Sequence, residues 1–217
     1  MKKLLSILLL LCLLTPVALA ESSDLYVQES HIHAYAEGEN TLLHVVFLLE
    51  NRGSTAFLPA VASVVLLNKQ GEIFQESRSS MYPMVLSAGG SGYVFGTFEL
   101  DAAQQQQYDH PELRLALSSY SDEEQKLVDQ LLAALLYPKV ESEIRGNQAL
   151  LTVTNDTALD IPMGGILLLY KDEAGEIVGV QETYITHLPQ GESTQITQEF
   201  TLAPFASVEI ICYSMPM

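Results

Sequence analysis

His31 and His33 are the residues whose type and spacing best suit chemistry. Two positions apart on an extended strand, their imidazoles leave the same face. If Gly38-Glu39 is a two-residue hairpin turn, the chain folds back so that His33 stands opposite His44. Three imidazoles on one sheet face could hold zinc or copper, so His31, His33 and His44 are the candidate metal ligands. The competing reading is three unrelated boundary histidines. A register change of one residue moves His44 to the other face, and no fourth ligand is evident.

Other reactive combinations have plainer explanations. Ser87-Ala88-Gly89-Gly90-Ser91 carries two serines but is not a nucleophile elbow between strand and helix; a turn explains it. His110 and His187 have no identifiable Ser–Asp partners. Glu123-Glu124 suits a helix start, where acids favour the dipole. Glu141 and Glu143 share a strand face, but nothing marks a substrate cleft. No Asp-rich loop has calcium spacing, and no glycine loop is followed by the Lys-Ser/Thr of a phosphate site. No catalytic residue and no cofactor is assigned.

The elements that must position these groups are strands. Asn51 and Gly71-Glu72-Ile73 recur as Asn155 and Gly175-Glu176-Ile177. Further on, Tyr82, Leu86, Gly89, Phe98 and Leu100 recur as Tyr184, Leu188, Gly191, Phe200 and Leu202, after a two-residue gap between Ile73 and Tyr82. This is the mark of an old duplication. In copy one, strands are expected at Leu25–Ala36, Leu42–Leu49, Ala60–Leu67, Glu72–Gln75, Met81–Leu86 and Tyr93–Leu100, with a last one around Leu113, Leu115 and Leu117. In copy two they fall at Lys139–Arg145, Ala149–Thr154, Gly164–Tyr170, Glu176–Val180, Thr183–His187, Gln195–Leu202 and Val208–Tyr213. Short strands with turn residues at regular intervals predict an all-β chain of two tandem β-sandwiches. Ser121-Asp122-Glu123-Glu124 is a capping box. Leucines at helical spacing after it predict one amphipathic helix, Asp122 to Leu135, joining the copies, with its apolar face packed on one or both sandwiches. An exposed stripe binding a partner helix or membrane is the alternative. Ala102-Ala103 and Gln104 to Gln107 read as a loop or a short helical turn.

The run from Leu167 to Val178, with Leu-Tyr at 169–170, an acidic turn and Gly175, followed by Leu188-Pro189-Gln190-Gly191, resembles the bacterial FxLYD-type domain. Asn155 matches the Asn that ends the family's preceding strand. Leu167 stands where that family has Phe, and Lys171 where it has Asp; in copy one Leu66 replaces Tyr170. The resemblance implies immunoglobulin-like sandwiches in an exported bacterial protein. It brings no catalytic residues, and fold alone does not assign function.

The amino terminus agrees with export. Lys2 and Lys3 precede an apolar run, Leu4 to Leu14, and Ala18-Leu19-Ala20 supplies small residues at a cleavage site, the layout of a signal peptide. That run is too short to cross a bilayer, which needs about 20 residues. Leucines on both sides of Cys12 argue against lipidation. Cleavage after Ala20 leaves eight basic and twenty-seven acidic side chains, a formal charge of −19. So acidic a surface repels nucleic acid and anionic lipid. It keeps an exported chain soluble, or attracts a cationic partner or calcium. Cys212 would be the one remaining cysteine, a buried thiol on a strand. The expected layout is a signal peptide over 1–20, sandwich repeats over 21–120 and 138–217, and the linker helix over 121–137. The expected role is non-enzymatic binding or assembly with a protein or cell-envelope component, in a periplasm, cell wall or medium, with no membrane span after cleavage. A secreted hydrolase or a metal-binding protein is the alternative.

Overall fold

The computed structural model describes residues 24–59, 61–116 and 120–214. The signal-peptide assignment lies outside them. The chain is mostly β. Its first six strands are β1 (Leu25–Glu37), β2 (Asn40–Asn51), β3 (Val61–Asn68), β4 (Ile73–Ser79), β5 (Ser91–Leu100) and β6 (Tyr108–Ala116). The last six are β7 (Lys139–Arg145), β8 (Gln148–Thr154), β9 (Ile161–Lys171), β10 (Ile177–Leu188), β11 (Ser193–Glu199) and β12 (Ser207–Ser214). Helix α1 (Ala102–Gln107) precedes β6, and α2 (Asp122–Ala134) precedes β7.

All strand pairs are antiparallel, in four three-stranded sheets: β1-β2-β5, β4-β3-β6, β7-β8-β11 and β10-β9-β12. The pairing of the first six strands therefore returns in the last six. Register returns with it. Glu50 faces Ser91 as Thr154 faces Ser193, and Val65 faces Glu76 as Leu169 faces Val180. Each half also carries a bulge just after the turn at Gly71 or Gly175, between Ile73 and Gln75 and between Ile177 and Gly179. In the first half, alternate residues of β2, β5, β3 and β6 (Val45, Phe47, Val94, Phe98, Val64, Leu66, Leu113) form one buried cluster between two sheets. In the second half, Leu151, Val153, Ile166, Leu168, Tyr170 and Phe200 do the same. Burial of one face gives the period-two pattern of β5, β6, β8 and β11, whereas the central strands β2, β3 and β9 carry long buried runs.

One expected strand is absent. Met81–Leu86 forms only two isolated bridges, Tyr82 with Tyr93 and Phe57 with Leu86. Pro83 has no N–H to give a ladder. In the second half the matching stretch is the continuous strand β10, where two strands were expected. The two-residue gap of the repeat falls where the first half leaves its sheet.

Helix α2 starts as expected. Ser121 Oγ accepts from the Glu124 N–H, and the Glu124 carboxylate accepts from the Ser121 N–H. Its inner face, Val128, Leu131, Leu132 and Leu135, packs on Ala56, Leu58, Met84 and Val85 of the first half and on Tyr213 of the second. Gln125 Nε2 donates to the Ala56 carbonyl at 2.9 Å. No helix among the described residues is long and apolar enough to cross a membrane. Removing the cap by Ser121→Ala should cost about 1 kcal/mol, read as a lower melting temperature with Ser121→Asp near wild type. An unchanged Ser121→Ala melt would show that the packing of Val128 and Leu135 alone fixes the helix.

Candidate functional site

A bulge in β1 decides where the histidines go. Pairing with β2 shifts between Val27 and Glu29. Val27 packs into the first-half core. Past the bulge the odd-numbered residues change face, because side chains alternate and one extra residue inverts the alternation. His31, His33 and Tyr35 thus lie beside Val46, His44 and Leu42 on the outer face of β1-β2-β5. The Gly38-Glu39 turn and the His33–His44 pairing are as the sequence predicted.

That outer face is covered by the sheet β10-β9-β12. Val46, Tyr82, Tyr93 and Phe95 of the first half meet Leu167, Leu169, Ile177, Val180 and Ile211 of the second in one apolar layer. Polar groups stitch its margins. The Tyr82 phenol donates to the Glu182 carboxylate. Tyr93 Oη donates to Glu209 Oε1 at 3.0 Å, and Lys171 Nζ lies 2.6 Å from the other Glu209 oxygen.

The histidines occupy one end of this joint. β10 is an edge strand, so half its backbone groups have no strand partner. Two imidazoles serve them. His44 Nδ1 accepts from the Val180 N–H at 3.4 Å, and His33 hydrogen-bonds the Ile177 backbone. His44 is 5 % exposed. Burial, with His33 beside it, pushes its pKa down to about 4. Burial also lowers that of His33, against the opposing pull of Asp172 and Glu176. His31 Nε2 is 3.2 Å from Glu29 and its Nδ1 3.5 Å from Glu176. The three histidines share a face, but their ring nitrogens are engaged with different partners. Among the described residues no group of three or more His, Cys, Asp or Glu is arranged to hold a metal ion.

Aromatic rings close this end. Phe200 stacks on Tyr170 at 4.4 Å and meets Tyr35 and His44, each at 6.4 Å. Tyr35 Oη is buried with no hydrogen-bond partner among the described residues. Such a group costs about 1–3 kcal/mol, so separating the two faces returns part of that cost.

The opposite end of the joint is open. Ser77, Arg78, Ser79, Ser80 and Phe95 of the first half and Glu182 and Tyr184 of the second line a cavity of about 310 Å³. A second, of about 270 Å³, shares Arg78, Ser79 and Ser80 and adds Leu58, Val61, Met81 and Met84. Beyond them the outer face of β10-β9-β12 runs on uncovered. Tyr184 is 54 % and Met163 63 % exposed, and Tyr137, a neighbour of Tyr213, is 52 % exposed.

The remaining candidates stand apart. His110 pairs with Asp109 at 2.8 Å and with Glu112 at 3.8 Å. His187 holds a left-handed backbone, φ 52°, near the end of β10. Ser87 to Ser91 forms the turn into β5, with the Gly90 N–H bonded to the Ser87 carbonyl. Cys212 is a buried free thiol on β12, its pKa pushed up to about 12 by burial. No family model matches the chain, and no curated protein matches it.

Proposed function

We propose that this is an exported, non-enzymatic binding or assembly protein of the cell envelope or extracellular space, built as two tandem immunoglobulin-like β-sandwiches with α2 between them. The repeated strand order, the repeated register and the paired Asn51 and Asn155 support the tandem reading. The uncovered row of Tyr184, Met163 and Tyr137 beside the open cavity carries the functional one. Large apolar side chains clustered in the open mark contact surfaces, and tyrosine is favoured there because one ring offers both apolar area and a hydroxyl. The partner is a protein or an envelope component. Nucleic acid is disfavoured by the charge of −17.

The test is capture from an envelope extract on immobilised protein, with the bound component identified and its affinity then measured. Tyr184→Ser and Met163→Ser should each weaken that affinity on the order of tenfold, the loss of one anchor of about 1–2 kcal/mol. Ile32→Ser, on the exposed side of β1, should leave it unchanged. Equal binding by all three variants, or turnover of a substrate by the pure protein, would remove the reading.

A further inference from the structure

We propose that the joint between the two halves is a pH-sensitive latch, which acid opens by protonating His44. The inference goes beyond the binding role and does not depend on it. The covered faces of β1-β2-β5 and β10-β9-β12 meet in one apolar layer, and the histidine end of that layer depends on imidazole hydrogen bonds to an edge strand. His44 Nδ1 accepts the Val180 N–H, so its Nε2 carries the single proton of the neutral ring. A second proton can go only to Nδ1. That replaces an accepting bond by two opposed N–H groups and places a charge among Tyr35, Phe200 and the backbone of β10.

The charged surroundings select His44 as the weak point. Asp172 and Glu176 act on His33 and favour its protonated form, and Glu29 and Glu176 lie against His31. On His44 the one charge acting among the described residues is that of His33, which opposes protonation. Tyr35, the other titratable group in contact, stays neutral, its pKa pushed up to about 12 by burial.

The sign follows from that depressed value. The closed joint favours neutral His44, so its contribution is complete above the ordinary histidine value of 6.5 and is lost as pH falls towards about 4. A displacement of that size biases the open state on the order of a hundredfold. Water then reaches Tyr35 Oη as well, which lowers the cost of opening.

The experiment is amide exchange at Val180, corrected for the intrinsic pH dependence, together with small-angle scattering and far-UV circular dichroism from pH 7 to pH 4. Val180 protection should fall on the order of a hundredfold and the radius of gyration should rise, while the dichroism of the two β cores persists. In His44→Gln, whose side-chain oxygen can accept the same N–H without titrating, most of the pH dependence should vanish. If that variant does not fold, an NMR titration of His44 in the wild type must give a midpoint that matches the opening. Unchanged protection at pH 4, loss of both cores in the same step, the same pH dependence in His44→Gln, or a mismatched midpoint would each overturn the latch.

Discussion

Phe200→Ala is expected to lower stability by about 3–5 kcal/mol, the range for emptying a buried aromatic site. Phe200 is 1 % exposed and fills two roles at once. Within the second half it stacks on Tyr170 and meets Phe205 edge-on at 6.1 Å. Across the joint it reaches Tyr35 and His44. Its space is made by Gly179, where an added Cβ would fall 2.2 Å from Phe200 Cζ. Gly179→Ala alone should therefore cost about 1–3 kcal/mol through overpacking. Combined with Phe200→Ala its cost should largely disappear, because the atom it strikes is gone and contacting sites do not add. Denaturant unfolding of the two single variants and the double variant measures this coupling. Additive losses would show that Phe200 and Gly179 act independently, contrary to the geometry. A second readout, faster exchange at Val180 in Phe200→Ala, reports the role across the joint.

Much of this packing could be read from residue order, and the joint itself could not. The apolar run Leu42–Leu49, the alternation in Ala149–Thr154, the turn at Gly38-Glu39 and the cap at Ser121 are local signals, and each lies in the structure where its chemistry predicts. The pairing of Phe98 with Phe200 was also visible. Phe98 lies opposite Leu43, and the Phe200 N–H bonds the carbonyl of Asn147, the position equivalent to Leu43. The fate of His31 and His33 depended instead on the bulge after Val27, a single unpaired residue with no glycine or proline to announce it. Their covering strand, β10, lies more than a hundred positions away in sequence. Periodicity says that a face is apolar or mixed; it does not say what comes to lie on it. The same limit applies to Tyr82 and Tyr184. They match in the repeat, yet Tyr82 is buried in the joint and Tyr184 is open beside it, and both hold the Glu182 carboxylate. One repeat position has become part of the seam and the other part of the free surface.

Asn155→Ala is expected to cost about 3 kcal/mol or more, and Asn51→Ala a similar amount, for the same reason in each half. Asn155 is fully buried. Its Nδ2 donates to the carbonyls of Leu159 and Leu188, both at 2.9 Å, and its Oδ1 accepts from the Thr157 N–H and hydroxyl. Its backbone bonds Glu192 and Gly191. Asn51 repeats the pattern. Its Nδ2 reaches the carbonyls of Thr55, Leu86 and Ser87, its Oδ1 accepts from Gly53, and its backbone bonds Gly90 and Gly89. One side chain thus ties a strand end to the loop after it and to the distant turn opposite. Alanine removes all of these side-chain bonds. The Leu86, Ser87 and Leu159 carbonyls keep a second donor, but the Thr55 carbonyl and Gly53 N–H in one half and the Thr157 N–H in the other lose their side-chain partner, at about 1–3 kcal/mol for each that stays buried. Asn155→Asp sharpens the test. Aspartate keeps the volume and the accepting oxygen but cannot donate to Leu159 and Leu188, and it brings a buried charge towards two carbonyl oxygens. It should be at least as damaging as alanine at pH 7 and should recover partly at a pH low enough to protonate it. If urea unfolding ranks Asn155→Asp close to wild type, shape rather than donation holds these turns, and the repeated asparagine would not be the bolt of each half.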